Sequence, residues 1–306
     1  ELQGLKYKTV ANANGSGSVT FDVIDNGSGT APNVNTLTSQ SVAITVTAVN
    51  DAPTQTTAGA IATVNEDSSN ATAVALGNTA PDYGVGGGSD ESTQTLSYKI
   101  TTIPAFINLF KADGTTAVAA NTKLTAAEFA GLKYKTIADA NGTGNVTFDV
   151  IDNGSGTAPN VNTLASQSVA ITVTAVNDAP VVDAQSTNTA YTENGAAHAA
   201  NSAITLSDVD SANLTGATVT ISSGLTAGDV LAFTDANGIT GSYNSGTGVL
   251  TLTGSATKAQ YQAALQSVTY ASSSDAPTAT GATRTLSWQV DDGQSANHAS
   301  NVGTST

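Results

Sequence analysis

The chain repeats itself, and that repeat limits what it can fold into. Residues 4–53 (GLKYKTVANANGSGSVTFDVIDNGSGTAPNVNTLTSQSVAITVTAVNDAP) return at 131–180, displaced by 127 positions, with 45 of 50 residues identical. The five differences, Val10/Ile137, Asn12/Asp139, Ser16/Thr143, Ser18/Asn145 and Thr38/Ala165, are small or conservative, as recent tandem duplication leaves them. A diverged third copy follows, in which AQYQAALQSVTY (259–270) parallels AEFAGLKY (127–134) and RTLSWQVDDG (284–293) parallels NVTFDVIDNG (145–154). A unit of this length exceeds the short solenoid periods and suits one β-sandwich domain per repeat. The spacing predicts the late half of a repeat at 1–50, a complete repeat at 51–180 and a diverged repeat at 181–306 that lacks its last strand, the counterpart of SVAITVTAV. On this reading the chain is an excerpt of a longer array. The strands in 1–50 are too few to close a sandwich alone, so either they were parted from their partners or a neighbouring molecule supplies the missing ones by strand addition.

Within each unit the apolar residues alternate with period two. SVAITVTAV (168–176) sets Val169, Ile171 and Val173 against Thr172 and Thr174, and VTFDVID (146–152) places Val146, Phe148 and Val150 on one face. LKYKT (132–136) buries Leu132 and Tyr134 between lysines. The one helical signal is TAAE (125–128), a Thr-x-x-Glu capping box that predicts a single connecting turn, echoed by TKAQ (257–260). With aromatics at 5% and Gly, Ser, Thr, Asn and Ala dominant, the expected class is all-β: tandem Ig-like β-sandwich domains in an extended array.

Charge is sparse and one-sided. Twenty-four Asp and Glu oppose nine Lys and Arg, a net of -15, which repels polyanions and excludes a nucleic-acid partner. Nineteen of the acids are Asp, set beside Gly and Asn in turns, where hard-cation ligation explains them better than helix solubility does. The chain has no Cys and no Met, so disulfides, thiolate catalysis and cysteine-ligated metal centres are excluded. No run of 18 apolar residues and no basic start followed by an apolar stretch occurs, so neither a membrane span nor a signal peptide is visible, and any export signal lies outside this sequence.

The acids gather around one motif. VNDAP, at Val49–Pro53 and Val176–Pro180, ends a strand in a short stiff linker, because proline cannot continue the ladder and holds its predecessor extended. In a seven-strand sandwich the loop between the last two strands lies at the N-terminal pole, beside the incoming linker. That loop carries Asp152 in IDNG and Asp291 and Asp292 in VDDG. Two further acidic segments are expected at the same pole: Glu66 and Asp67 in VNED with Glu193 in YTEN, then Asp90 and Glu91 in GGGSDE with Asp208 and Asp210 in LSDVDS. Together with Asn50, Asp51, Asn177 and Asp178 of the linkers they offer the six to eight or so oxygens that Ca²⁺ takes, and a cation among them relieves their mutual repulsion. From the opposite pole of the preceding unit, the ADANG loop (138–142) can add Asp139 or Asn141; in the first copy Asn12 replaces the acid, which predicts fewer or weaker ions there.

These motifs resemble the bacterial cadherin-like repeats of giant type I-secreted adhesins of the RTX class, in which VNDAP-ended units of this size are strung together. Cadherins use an early Glu, an Asp-x-Asp motif, an Asp-x-Gly loop before the last strand and an Asx-rich linker. SDVDS and VDDG match these, VNED and IDNG match more loosely, and GGGSDE departs from Asp-x-Asp. The resemblance covers the whole chain and implies Ca²⁺-stiffened repeats, extracellular or on the bacterial surface, acting in adhesion or biofilm formation. The partners it implies are calcium, neighbouring repeats, and a host or matrix glycan or protein.

Catalysis finds little to work with. His198 and His298 stand in Ala/Asn/Ser-rich segments without ligand spacing, no Ser has Gly at both the -2 and +2 positions, and no Lys-Ser/Thr follows the glycines of GVGGGS (84–89). Paired carboxylates could imitate a glycosidase, yet they recur at domain poles without sugar platforms beside them. Trp288, Tyr7, Tyr134 and Tyr270 sit on alternating strands and are expected in the core rather than on a stacking surface. The expected role is mechanical and not enzymatic. Two other readings stand beside it: glycan or peptide binding by the third repeat, and assembly of copies of the chain into a filament or matrix by strand exchange.

Overall fold

The computed structural model describes residues 2–68, 74–76, 80–185 and 188–306, and the chain divides into two compact units, Glu1–Ala175 and Val176–Thr306. The fold is all-β, with two short α-helices among the described residues, neither long and apolar enough to cross a membrane.

The first unit runs β1 (Gly15–Ile24), β2 (Thr36–Val46), β3 (Thr54–Thr57), β4 (Ala62–Asn65), β5 (Val74–Ala75), β6 (Asp82–Gly84), β7 (Leu96–Thr102), β8 (Ile107–Phe110), β9 (Lys123–Thr125), α1 (Ala126–Ala130), β10 (Lys133–Thr136), β11 (Gly142–Asp152) and β12 (Thr163–Thr174). Strands β4-β12-β11-β7-β9 form one sheet and β5-β10-β8 another, antiparallel throughout except that β4 runs parallel to β12. The alternation in the sequence becomes the inner face of this sandwich. Val146, Phe148 and Val150 on β11 and Val169, Ile171 and Val173 on β12 are at most 2% exposed and pack with Leu109, Leu132 and Tyr134 of the facing layer. Each such side chain contributes roughly 1.5–3 kcal/mol through removal from water. Phe129, delivered by α1, stacks on Tyr98 at 4.1 Å between centroids and leans on Phe148 at 4.6 Å.

Hairpin β1–β2 repeats the β11–β12 register 127 residues earlier: Val19 faces Val42 as Val146 faces Val169, and the bulge falls at the same place. Its environment differs. Val19, Val23 and Val42 are 47–51% exposed, and Leu5 and Tyr7, the counterparts of buried Leu132 and Tyr134, are 69% and 66% exposed. The expectation of a core position for Tyr7 therefore fails, because the residues that would cover it do not pack there.

The second unit runs β13 (Val181–Asp183), β14 (His198–Ala199), β15 (Thr205–Ser207), β16 (Asn213–Ser223), β17 (Asp229–Ala232), β18 (Thr240–Asn244), β19 (Val249–Thr257), α2 (Lys258–Ser267), β20 (Thr269–Ser272), β21 (Thr285–Asp291) and β22 (Gly303–Ser305). Sheets β18-β19-β16-β21-β22 and β14-β20-β17 enclose a core centred on Trp288, whose indole N–H donates to Ser305 Oγ at 2.9 Å. Both predicted capping boxes form, Thr125 with Glu128 and Thr257 with Gln260. The second opens a ten-residue helix rather than one turn, held by burial of Tyr261, Ala264 and Leu265 at helical spacing. Beneath this core lies a buried ion pair: Arg284 Nε donates to Asp229 Oδ2 at 2.6 Å, and the Tyr270 hydroxyl donates to Asp229 Oδ1 at 2.7 Å. Burial opposes ionisation of Asp229, but the hydrogen bonds from Arg284, Thr226 and Tyr270 outweigh it and hold the carboxyl below the usual range. Burial, then Asp229, pushes the Tyr270 hydroxyl up to about 12.

Three outcomes follow for urea denaturation. Phe148→Ala costs about 3–5 kcal/mol, whereas Phe21→Ala, the same position in the uncovered hairpin, costs about 1 kcal/mol or less; equal losses would contradict this partition of core and surface. Arg284→Leu strands a buried carboxylate and destabilises the second unit by about 3–5 kcal/mol. Because Asp229 titrates lower folded than unfolded, its contribution is present above about pH 4 and is lost as pH falls through the depressed folded value, a loss that Asp229→Asn removes.

Candidate functional site

The inward stripe of β11 does not stop at the core. Beyond Val146, Phe148 and Val150 the next residue on the same face is Asp152, only 3% exposed, so the alternation that packs the sandwich also delivers a carboxylate to its pole. There the VNDAP linker meets it. The Asn50 amide nitrogen donates to Asp152 Oδ1 at 3.2 Å and to the Val161 carbonyl at 2.7 Å, while Asn50 Oδ1 accepts from Gln94 Nε2 at 2.6 Å. The Asp51 N–H donates to Glu91 Oε1 at 2.6 Å, and Glu91 is 2% exposed. Asn50, Asp51, Glu91 and Asp152 thus form one cluster, and Asp90 is exposed beside it.

Three consecutive glycines make the approach possible. A side chain on Gly86 would stand 2.1 Å from the Ala52 carbonyl, one on Gly87 1.9 Å from Glu91 Oε2, and one on Gly88 2.5 Å from the Asn12 carbonyl oxygen and 2.9 Å from Asp90 Oδ1. The glycine segment is therefore a close-packing surface between the linker, the acids and the Asn12 loop of the preceding copy. Gly86 and Gly87 also carry φ of +86° and +53°, the left-handed region that glycine adopts without strain.

The second unit builds the same pattern from other residues. The Asn177 amide nitrogen donates to Asp292 Oδ2 at 2.8 Å, and the Asp178 N–H donates to Asp210 Oδ2 at 3.2 Å. Asp208 Oδ1 accepts from the N–H groups of Asp210 and Ser211, and the Ser211 hydroxyl reaches Asp292 Oδ2 at 3.3 Å. Asp291 points elsewhere, to His298 Nδ1 at 2.7 Å. This corrects an alignment. Matching RTLSWQVDDG to NVTFDVIDNG by their terminal glycines pairs Asp291 with Asp152, yet burial alternates through Leu286, Trp288, Val290 and Asp292, so Asp292 takes the place of Asp152 and the true offset is one residue greater. A slip of one position exchanges the faces of a strand, and the core decides which is right.

Other predicted site residues lie elsewhere. Glu66 and Asp67 do not join Asp152. β4 runs parallel to the end of β12, and the Glu66 N–H donates to the Thr174 carbonyl at 2.9 Å, so these acids sit at the other end of a twelve-residue strand, roughly 35 Å away at strand rise. They meet the ADANG loop there: Asn141 Nδ2 donates to Glu66 Oε2 at 3.0 Å and the Asp139 N–H to Asp67 Oδ1 at 3.3 Å. The error came from assigning the early acidic segment to the pole where its repeat starts, whereas the chain has by then crossed the sandwich. Glu193 likewise stands apart, lining a cavity of about 450 Å³ with Tyr191, His198, Tyr270 and Arg284, away from Asp208, Asp210 and Asp292. Gln94 and Ser211 belong to the clusters and were missed; neither is acidic, and their only signal is proximity to Glu91 and Asp210.

The electrostatics of the two poles are alike. Glu91, Asp152, Asp208 and Asp292 form no salt bridge among the described residues, so their charges are met by amide and hydroxyl donors alone. Among the described residues Glu91 Oε2 and Asp208 Oδ2 are buried atoms without a hydrogen-bond partner. Burial pushes the Asp208 carboxyl above its ordinary value, with Asp210 adding to the shift. Uncompensated buried carboxylates cost several kcal/mol each, and an all-oxygen donor set of this kind fits a hard divalent cation better than it fits a transition metal.

No family model matches the chain. It is similar to halomucin of Haloquadratum walsbyi (strain DSM 16790 / HBSQ001), 36% identical over 158 residues, which is 46% of this chain and 2% of the length of halomucin. Among solved structures it is similar to extracellular cadherin domains 1–4 of protocadherin gamma B7 (14% identity, TM-score 0.40, 96% of this chain and 57% of that one). It is also similar to EC1–4 of Drosophila N-cadherin (13%, 0.32, 98% and 61%) and EC1–3 of mouse clustered PcdhgC3 (15%, 0.31, 95% and 75%).

Asn50→Ala removes a donor from Asp152 and leaves the Gln94 amide and the Val161 carbonyl unmatched. In chelator it lowers the stability of the first unit by about 2–3 kcal/mol, checked by thermal denaturation. Asn177→Ala acts on the second unit in the same way, and a change below about 0.5 kcal/mol in both would reject the linker asparagine as the organiser of each pole.

Proposed function

We propose that the chain is a calcium-stiffened segment of an extracellular adhesin of the type I-secreted RTX class, on or released from the cell surface, in which tandem sandwiches act as a stalk for attachment or biofilm formation. The observation that carries this reading is the pair of buried, unpartnered carboxylate oxygens, Glu91 Oε2 and Asp208 Oδ2, each beside a linker Asn-Asp and a second buried Asp. In the first unit Asn50, Asp51, Asp90, Glu91 and Asp152 would hold the ion, with Asp67, Asp139 and Glu66 serving the opposite pole; in the second, Asn177, Asp178, Asp208, Asp210 and Asp292 would do so. The ion supplies positive charge and little else: it offsets repulsion among the acids and pins the linker to the sandwich, so a pole that is loose without it becomes rigid. A non-enzymatic, mechanical role, with calcium, neighbouring repeats and a matrix or host ligand as partners, is the function that this donor chemistry supports best.

The test has a sign. With calcium at about a hundredfold over its Kd the bound protein gains about 2.7 kcal/mol per site, so exhaustive chelation lowers Tm and broadens the scattering profile. Glu91→Gln and Asp208→Asn each abolish part of the calcium-dependent gain, yet leave stability in chelator unchanged or raised, because they remove a buried charge. Melting and scattering that ignore chelation would overturn the proposal.

A further inference from the structure

Gln94, the neutral member of the first pole, carries more than a brace for the linker requires. Among the described residues three buried side-chain polar atoms have no hydrogen-bond partner, and two of them, Glu91 Oε2 and Gln94 Oε1, belong to this pole. Both are acceptors, so what each lacks is a donor or a cation. A relay fixes which way the Gln94 carboxamide is turned. Asn50 Nδ2 lies 3.2 and 3.4 Å from the two oxygens of Asp152 and 2.7 Å from the Val161 carbonyl, three acceptors that only an amide nitrogen can face. Asn50 Oδ1 is thereby aimed at Gln94, and the Gln94 atom that meets it at 2.6 Å has to be the nitrogen, Nε2. Turning either amide over would set oxygen against oxygen. Asn50 Oδ1 itself fits only because residue 154 is glycine, where a side chain would stand 1.9 Å away. Asp152 thus orients Asn50, Asn50 orients Gln94, and Gln94 Oε1 is left bare.

The second unit shows that holding the linker does not need this oxygen. There Ser211 Oγ, a hydroxyl 3.5 Å from Asn177 Oδ1, takes the place of Gln94 Nε2. The acids share their tasks too: Asp210 Oδ2 accepts from the Asp178 N–H, while Asp208 carries the bare oxygen. In the first unit Glu91 does both, with Oε1 on the Asp51 N–H and Oε2 bare. We propose that Gln94 Oε1 is a direct ligand of the cation at the first pole, a neutral oxygen joining Glu91 Oε2 where one buried carboxyl serves both linker and ion. Ca²⁺ accepts side-chain carbonyl oxygens alongside carboxylates. Such an oxygen enlarges the shell without adding to the repulsion between Glu91 and Asp152. The inference rests on the calcium reading above and assigns it one further residue.

The experiment is a calcium titration of the whole chain of 306 residues followed by NMR. It is read at the Asp51 amide, which reports this pole apart from the other sites, and at the side-chain carbonyl carbon of Gln94. Both resonances are expected to move with one Kd. Two variants separate ligand from brace, since Gln94→Met and Gln94→Glu both lose the N–H that holds Asn50 and only Gln94→Glu keeps an oxygen. At the Asp51 amide Gln94→Met is expected to weaken calcium at least about tenfold, whereas Gln94→Glu binds at least as tightly as the unaltered chain although it melts lower in chelator. Equal weakening in the two variants, or a Gln94 carbon that stays still while the Asp51 amide titrates, would overturn the inference and leave Gln94 a brace. A first pole that ignores calcium while the Asp178 amide responds would overturn it as well. No response at any amide of the chain would reject the calcium reading itself.

Discussion

One register constraint underlies both the core and the poles. Along β11 and along β21 the residues that pack inward are separated by two, and the fourth position of each stripe is an aspartate: Asp152 at the end of β11 after Val146, Phe148 and Val150, and Asp292, the residue just past β21, after Leu286, Trp288 and Val290. The apolar contacts fix the register, since a slip of one would turn every one of these side chains to solvent. The carboxylate is carried along, placed at the rim of the core where water is scarce and where the linker asparagine arrives to meet it. Packing energy thus holds a charge in a position that the charge by itself would not choose.

That placement shapes the electrostatics. The second unit shows how a buried carboxylate is stabilised when a base is at hand: Asp229 takes a bidentate guanidinium from Arg284 and a hydroxyl from Tyr270. Among the described residues Glu91, Asp152, Asp208 and Asp292 have no such partner. Their donors are neutral, and one oxygen of Glu91 and one of Asp208 have none. With nine Lys and Arg in 306 residues the chain has few bases to spend: Arg284 goes to Asp229 beneath the core, and at the second pole Lys258 Nζ donates to the main-chain carbonyl of Asp208 rather than to its carboxylate. Under the proposed function a cation from solution meets the charge.

Much of this was legible in the sequence. Period-two alternation located β10, β11 and β12, and the capping boxes located both helices. The proline-ended linkers marked where Asn50 and Asn177 would sit. What was not legible depended on where the chain had travelled. Glu66 lies early in its repeat, and only the parallel pairing of β4 with β12 carries it to the far pole. The alignment of the third repeat by its glycines was off by one, because a turn glycine tolerates displacement whereas Trp288 in a core does not. Tyr7 has the sequence of a core tyrosine and the exposure of a surface one, since burial belongs to the neighbours and not to the residue.

The two hairpins carry a cost that lies in folding rather than in the folded state. Partner strands recognise inward side chains and edge hydrogen bonds, and on those the copies are indistinguishable, so the segment between them cannot tell its own hairpin from the one before it. The earlier hairpin is synthesised first and is available before β11 exists. Near-identity between adjacent repeats therefore invites mispairing across the repeat boundary, a characteristic failure of arrays, and only the reach of the connecting chain favours the correct partner. A third repeat that has drifted, with Trp288 where its neighbour has Phe148, is free of that ambiguity: divergence here acts as an address.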